Sequence, residues 1–170
     1  MLCYNILYKD AMAPRAFPPP GHDHGACAAH ALAAAEKLCQ TRGARLTAVR
    51  RKVLSLVWQS HAPVGAYDLL ARLNKGGGRV APIAVYRALD FLMAQGLVHR
   101  IASLNAYAGC AHIGHDHSAQ FLICQGCGCA AELESPALRR ALAKAVAGRG
   151  FTINREIVEI SGLCSHCKSA

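Results

Sequence analysis

No apolar run in this chain of 170 residues approaches the roughly 20 that a membrane-spanning helix needs. A helical membrane protein is therefore excluded. A basic leader region is missing too: MLCYNILYKD has a short apolar stretch followed by charge, so no secretory signal is expected. The expected compartment is the reducing cytoplasm, where nine cysteines serve as metal ligands more often than as disulfides. The odd count points the same way. The metal-hydrolase pattern HExxH and the deaminase pattern HxE…PCxxC are both absent, so an enzyme is not expected. Acidic residues are scarce in the first part. Residues 1–110 hold 13 Lys/Arg against 5 Asp/Glu, while residues 111–170 hold 6 against 5. Nearly all of the net charge of +9 thus sits in the first part, the natural partner for a polyanion. The competing reading is a solvated basic surface.

What the chain does have is two Cys-x-x-Cys pairs, Cys124–Cys127 and Cys164–Cys167, separated by 36 residues. Two thiolates from one tight turn bind a metal from one side, and the second turn completes a tetrahedral cage. Such a site closes the intervening segment into one loop and contributes folding free energy directly. Competing readings are a redox pair, a disulfide or scattered core cysteines. A thioredoxin-like pair sits at a helix N-terminus, a setting expected for neither. Cys129 is a spare thiol beside the first pair. Upstream lies a second collection of ligand-type residues: His99, Cys110, His112, His115 and His117.

The segments around these motifs suggest an order. Residues 1–27 read as a disordered tail, with Pro14, Pro18, Pro19 and Pro20 before His22 and His24. A helix is expected from Ala28 to Arg42. A second follows Thr47 as N-cap, with Val49, Val53, Leu56 and Val57 at helical spacing. A third spans Ala66–Leu73, followed by a glycine loop at 76–78. A fourth starts at Pro82 and stops at Gly96, with Val85, Ala88, Leu89 and Leu92 inward and Ile83, Tyr86, Arg87 and Asp90 outward. Strand-like runs at 97–101 and 105–110 then form a hairpin. Short helices followed by a hairpin make a winged helix, a relative of the helix-turn-helix. Beyond a hinge at 111–119, strands at 120–124 and 130–134, a helix from Pro136 to Ala147 and a strand at 151–162 make a small α/β unit over 120–170. The fold class is α+β, with the DNA-binding unit at 28–110.

The stretch APIAVYRALDFLMAQGLVHR, the paired cysteines and the histidines between them resemble the ferric uptake regulator family of metal-dependent repressors. YDLL at 67–70, YRALDFL at 86–92, QGLVHR at 95–100 and GLCSHC at 162–167 resemble its zinc uptake regulator branch. The resemblance runs from about Ala33 to Cys167. It implies a winged-helix domain, a dimerisation domain and a homodimer that binds inverted-repeat operators when loaded with metal. It also implies that Cys124, Cys127, Cys164 and Cys167 form a structural zinc site, and that His99, Cys110, His117 and Glu132 form a regulatory one. Each protomer would then hold two zinc ions. Where the family commonly has Thr in its recognition helix, this chain has Ala84. In this chain six residues separate His115-Asp116-His117 from Cys124, as in the zinc branch.

On chemistry alone, two imidazoles, one thiolate and one carboxylate suit zinc, and the thiolate argues against manganese and, less strongly, iron. Each residue has a plainer reading. His99 can contact phosphate, Cys110 can be a small core residue, and Glu132 can be a solvated carboxylate. His117 is preferred to His115 on the resemblance only, and His112 and His115 stay open as substitutes. Tyr86 and Arg87 are expected to meet base edges, with Arg45, Arg50 and Lys52 on the DNA backbone. The resulting expectation is a repressor of zinc-uptake genes acting on double-stranded DNA. Its rivals are an iron or peroxide sensor on the same fold and a zinc-storage protein that does not bind DNA.

Overall fold

The computed structural model describes residues 16–17, 23–75, 79–114 and 119–168. His22, His115, His117, the glycine run at 76–78 and most of the expected tail lie outside the described residues.

The first half is a helical unit with a β-hairpin. Helix α1 spans His24–Thr41, and the Asp23 carboxylate caps it by accepting from the amides of Gly25 and Ala26. Such a cap is worth about 1 kcal/mol. The helix therefore starts four residues before the expected Ala28. The reason is burial: Cys27 and Ala28 continue the inward stripe of Ala31, Ala35 and Cys39, so the turn before Ala28 has a surface to pack on. Helix α2 (Ala48–Val57) begins at the expected cap, with Thr47 Oγ1 accepting from Arg50 N–H. Helix α3 spans Ala66–Asn74 and α4 spans Pro82–Ala94.

The inward residues of α4 are the expected Val85, Ala88, Leu89 and Leu92. They pack with Val53, Leu54, Val57 and Leu69 into the main core. Gly96, at φ +69, ends the helix because Leu97 N–H must turn back to Leu92 C=O, a left-handed cap that favours glycine. Strands β1 (Val98–Ile101) and β2 (Ala106–Gly109) follow as an antiparallel hairpin. Val64, between α2 and α3, adds a reciprocal bridge to Tyr107. This is the winged-helix arrangement.

The second half is a three-stranded sheet in the order β4-β3-β5. Strand β3 (Ala119–Cys124) runs antiparallel to β4 (Ala130–Glu132) and parallel to β5 (Ile157–Gly162). Helix α5 (Pro136–Val146) makes the crossover. The last strand is shorter than the expected 151–162. Its ladder on β3 starts where Ala119 meets Ile157, so residues before Ile157 have no β3 residue opposite them. One turn of helix, α6 (Ser165–Lys168), follows.

The two halves meet through a second apolar cluster, Ile101 of the hairpin with Phe121 and Ile123 of β3. Ala130 N–H also donates to His61 C=O at 2.9 Å. Gly109 lies at the other end of the hairpin, where an added Cβ would overlap the indole of Trp58. Gly109→Ala is therefore expected to destabilise the protein by about 1–3 kcal/mol through overpacking. Trp58 is the chain's single tryptophan, so its fluorescence reports the unfolding midpoint in urea.

Candidate metal centre and nucleic-acid interface

The four paired cysteines converge. Their Sγ atoms all lie within 4.8 Å of one another. Cys124 ends β3, and Gly128 at φ +72 closes the turn that follows it, with Gly128 N–H donating to Cys124 C=O at 2.9 Å. The second pair is held by α6, where Cys167 N–H donates to Cys164 C=O. That differs from the sequence expectation, since Cys164 does precede a helix, but one of a single turn. Cys127 and Cys164 Sγ are 3.9 Å apart.

The amides of Cys127 and Cys164 point at Cys124 Sγ and pull its pKa down to about 6, which favours its thiolate form. Thiol contacts with Cys164 and Cys124 push Cys167 up to about 12. Four thiols crowded to this degree cannot all ionise unless a cation offsets their repulsion. Four sulfurs within tetrahedral reach fit Zn²⁺. Burial raises the spare Cys129 to about 11, and its backbone C=O, rather than its sulfur, supports the turn by accepting from Cys124 N–H. None of the eight described cysteines forms a disulfide.

A second set joins the two halves of the chain. The donor atoms of His99 (β1), Cys110 (after β2) and Glu132 (β4) also lie within 4.8 Å of one another. His99 Nε2 is 3.3 Å from Glu132 Oε1. The other carboxylate oxygen accepts from Ala111 N–H at 2.8 Å. Glu132 is not the solvated carboxylate of the plainer reading, since its side chain is 4% exposed. Cys110 is fully buried, and desolvation, then the Glu132 charge, drives its thiol far above the usual range. An imidazole, a thiol and a carboxylate gathered in a buried seam fit a divalent cation, which would offset the carboxylate and favour the thiolate over the thiol. His117 lies outside the described residues. His112 bridges two carboxylates, with Nδ1 3.5 Å from Glu132 and Nε2 3.5 Å from Glu134, and so steadies the first.

The outward face of α4 carries Tyr86, 38% exposed, and an exposed Arg87. Sequence reasoning gave Tyr67 no role. It is 75% exposed at the start of α3 and hydrogen-bonds Tyr86. The available signal was an aromatic outside the inward stripe of Ala66, Leu69, Leu70 and Leu73. Arg50, expected near the DNA backbone, has its guanidinium 3.5 Å above the Phe91 ring and donates to Arg45 C=O. Arg45 and Lys52 remain exposed.

A sequence model of the Ferric uptake regulator family matches residues 41–161. The chain belongs to this family. The zinc uptake regulation protein of Escherichia coli (strain K12) is 38% identical over 138 residues, 80% of each chain. A solved zinc uptake regulator complexed with zinc and DNA is 36% identical, with a TM-score of 0.80 over 84% of this chain and 95% of that one. Holo XcZur is 41% identical with a TM-score of 0.76, covering 82% of this chain and 97% of that one. The apo crystal structure of XcZur, at 42% identity and similar coverage (83% and 97%), superposes with a TM-score of only 0.50. At equal sequence similarity, the fold described here is therefore closer to the holo form than to the apo form.

Gly126 gives the cysteine cluster a sharp test. A Cβ there would sit 2.9 Å from both Cβ and Sγ of Cys167. Gly126→Ala is expected to weaken zinc retention against a chelator by at least tenfold, about 1.4 kcal/mol. Cys124→Ser is expected to lose that zinc and yield an unstable protein, read by metal content and thermal melting.

Proposed function

We propose that this chain is a zinc-responsive transcriptional repressor that acts in the cytoplasm as a homodimer and binds inverted-repeat operators of zinc-uptake genes. The observation that carries the reading is the seam. His99 and Cys110 come from the winged-helix unit and Glu132 from the sheet, yet their donor atoms are gathered within 4.8 Å. His117, at the end of the hinge 111–119, is the proposed fourth ligand. A divalent cation held there ties the two units in one orientation, the two-state element that allosteric control requires. The four-cysteine cluster holds the second, structural zinc and keeps the sheet unit folded whether or not the seam is filled.

The remaining residues do the binding work. Helix α4 enters the major groove, Arg87 forks onto a guanine edge, and Tyr86 packs on a thymine methyl or bonds a phosphate. Tyr67 extends that aromatic surface. The excess positive charge of the unit over 28–110, which reaches back to His24 in the fold, draws the duplex in. In the dimerisation unit over 120–170, Ile157 and Ile160 on β5 and Leu163 just after it are 40%, 45% and 49% exposed, an apolar edge suited to a second copy of the chain. Among the described residues no helix is long and apolar enough to cross a membrane.

Fluorescence anisotropy on an inverted-repeat promoter fragment, titrated across buffered free zinc, tests the reading. Binding is expected to rise sharply with zinc and not with iron or manganese. Cys110→Ser should keep the fold and the knuckle zinc but lose the zinc response. Arg87→Ala should cost about 1–3 kcal/mol of operator affinity while leaving metal content unchanged. A full zinc response in Cys110→Ser would remove this residue from the sensing set, and operator binding that follows iron would make the protein an iron sensor.

A further inference from the structure

The seam has a second grip that the metal-ligand set does not explain. In the sheet register Phe121 faces Glu132 on β4 and Glu159 on β5, so these three side chains form one row across the sheet. Each member holds a different part of the hairpin. Glu132 meets His99 and Cys110 at its base. Phe121 packs on Ile101 and lies edge-on to the His99 ring at 5.4 Å. Glu159 takes the tip. Ala102 N–H donates to its Oε1 at 2.7 Å and Ser103 N–H donates to its Oε2 at 3.1 Å. The Ser103 hydroxyl adds a bond, and these donors hold the Glu159 carboxyl below the usual carboxylate range. Amide bonds to an ionised carboxylate are about twice as strong as neutral ones.

The turn held in this way is otherwise exposed. It carries Asn105 at φ 46, a left-handed position that asparagine tolerates, and Asn105 Oδ1 accepts from Arg100 on the same hairpin at 2.9 Å. At the exposed edge of a sheet, packing asks only for a polar or β-branched residue. A carboxylate aimed at two amides 57 and 56 residues away is a specific tie.

We infer that Glu159 is a positioning residue for DNA binding: it pins the tip of the wing to the dimerisation sheet, so that the hairpin, fixed at its base by the His99–Cys110–Glu132 set, moves with the sheet as one body. Among the described residues the hydrogen bonds of Glu159 go to the turn and not to a candidate metal ligand, so its contribution is separable from metal loading. The inference rests on the repressor reading, and its test has one arm that does not.

The test uses the full zinc-loaded chain as wild type, Glu159→Ala and Glu159→Gln, with hydrogen exchange, metal content and operator affinity measured on each. In Glu159→Ala, exchange at Ala102 and Ser103 should rise by about tenfold, while the α4 and β3 amides stay protected. Metal content should not change, and operator affinity at saturating zinc should fall by about fivefold or more. Glu159→Gln keeps an acceptor oxygen and should recover part of both effects. Unchanged exchange at Ala102 and Ser103 would overturn the tie. Faster exchange with full operator affinity would overturn the positioning role, and loss of zinc or of global protection in both variants would make Glu159 a folding residue instead. If the wild type itself shows no zinc-dependent DNA binding, the repressor reading and the positioning role fall together, and the exchange arm alone decides whether the tie exists.

Discussion

The structure turns on a buried carboxylate. Glu132 is 4% exposed and lies against an imidazole and a fully buried thiol, where the base of the winged-helix hairpin meets the sheet. Removing an acid from water costs several kcal/mol unless a cation or a full set of hydrogen bonds compensates. One amide and two histidines cover part of that cost. A carboxylate so placed, beside an imidazole and a thiol, is one that a divalent ion at the joint can hold. The apolar contact beside it is small, with Ile101, Phe121 and Ile123 as its buried members. The orientation of the two units is therefore open to control by charge in a way that a large apolar interface would not permit.

The four-cysteine cluster answers a different need. Helix α5 has no fully buried residue, and the only buried apolar cluster at the described sheet borrows Ile101 from the hairpin. A unit this small cannot draw its stability from a core of its own. Joining Cys124 and Cys127 to Cys164 and Cys167 ties the end of β3 to the residues after β5. Gly126 leaves the space that the second pair fills. In the proposed reading, sensing and holding fall to separate donor sets, one mixed and placed between units, the other all sulfur and placed within one.

Much of this was legible in the chain. The stripe of Val85, Ala88, Leu89 and Leu92 marked the inward side of α4, because helical periodicity is local and the residues are strongly apolar. The paired cysteines were equally plain, since their chemistry depends on spacing. The first turn of α1 was missed because His24–Cys27 gain their place from tertiary burial, which a composition of Gly, His and Ala does not announce. The last strand was drawn too long because its start is set by where β3 begins, a fact of another segment. The stacking of Arg50 on Phe91 was not legible because it joins two helices. The row Glu132–Phe121–Glu159 was hidden for the same reason: it exists only once the register of three strands is known.

The central claim is that metal at the seam sets the relative orientation of the two units. Small-angle X-ray scattering of the full chain tests this most directly, with one and then two zinc equivalents per protomer. The first equivalent, taken by the cysteine cluster, should leave the profile nearly unchanged. The second should shrink the particle and sharpen its longest dimension, and Cys110→Ser should remove that step. A profile indifferent to the second equivalent, in a protein that demonstrably binds it, would contradict the account.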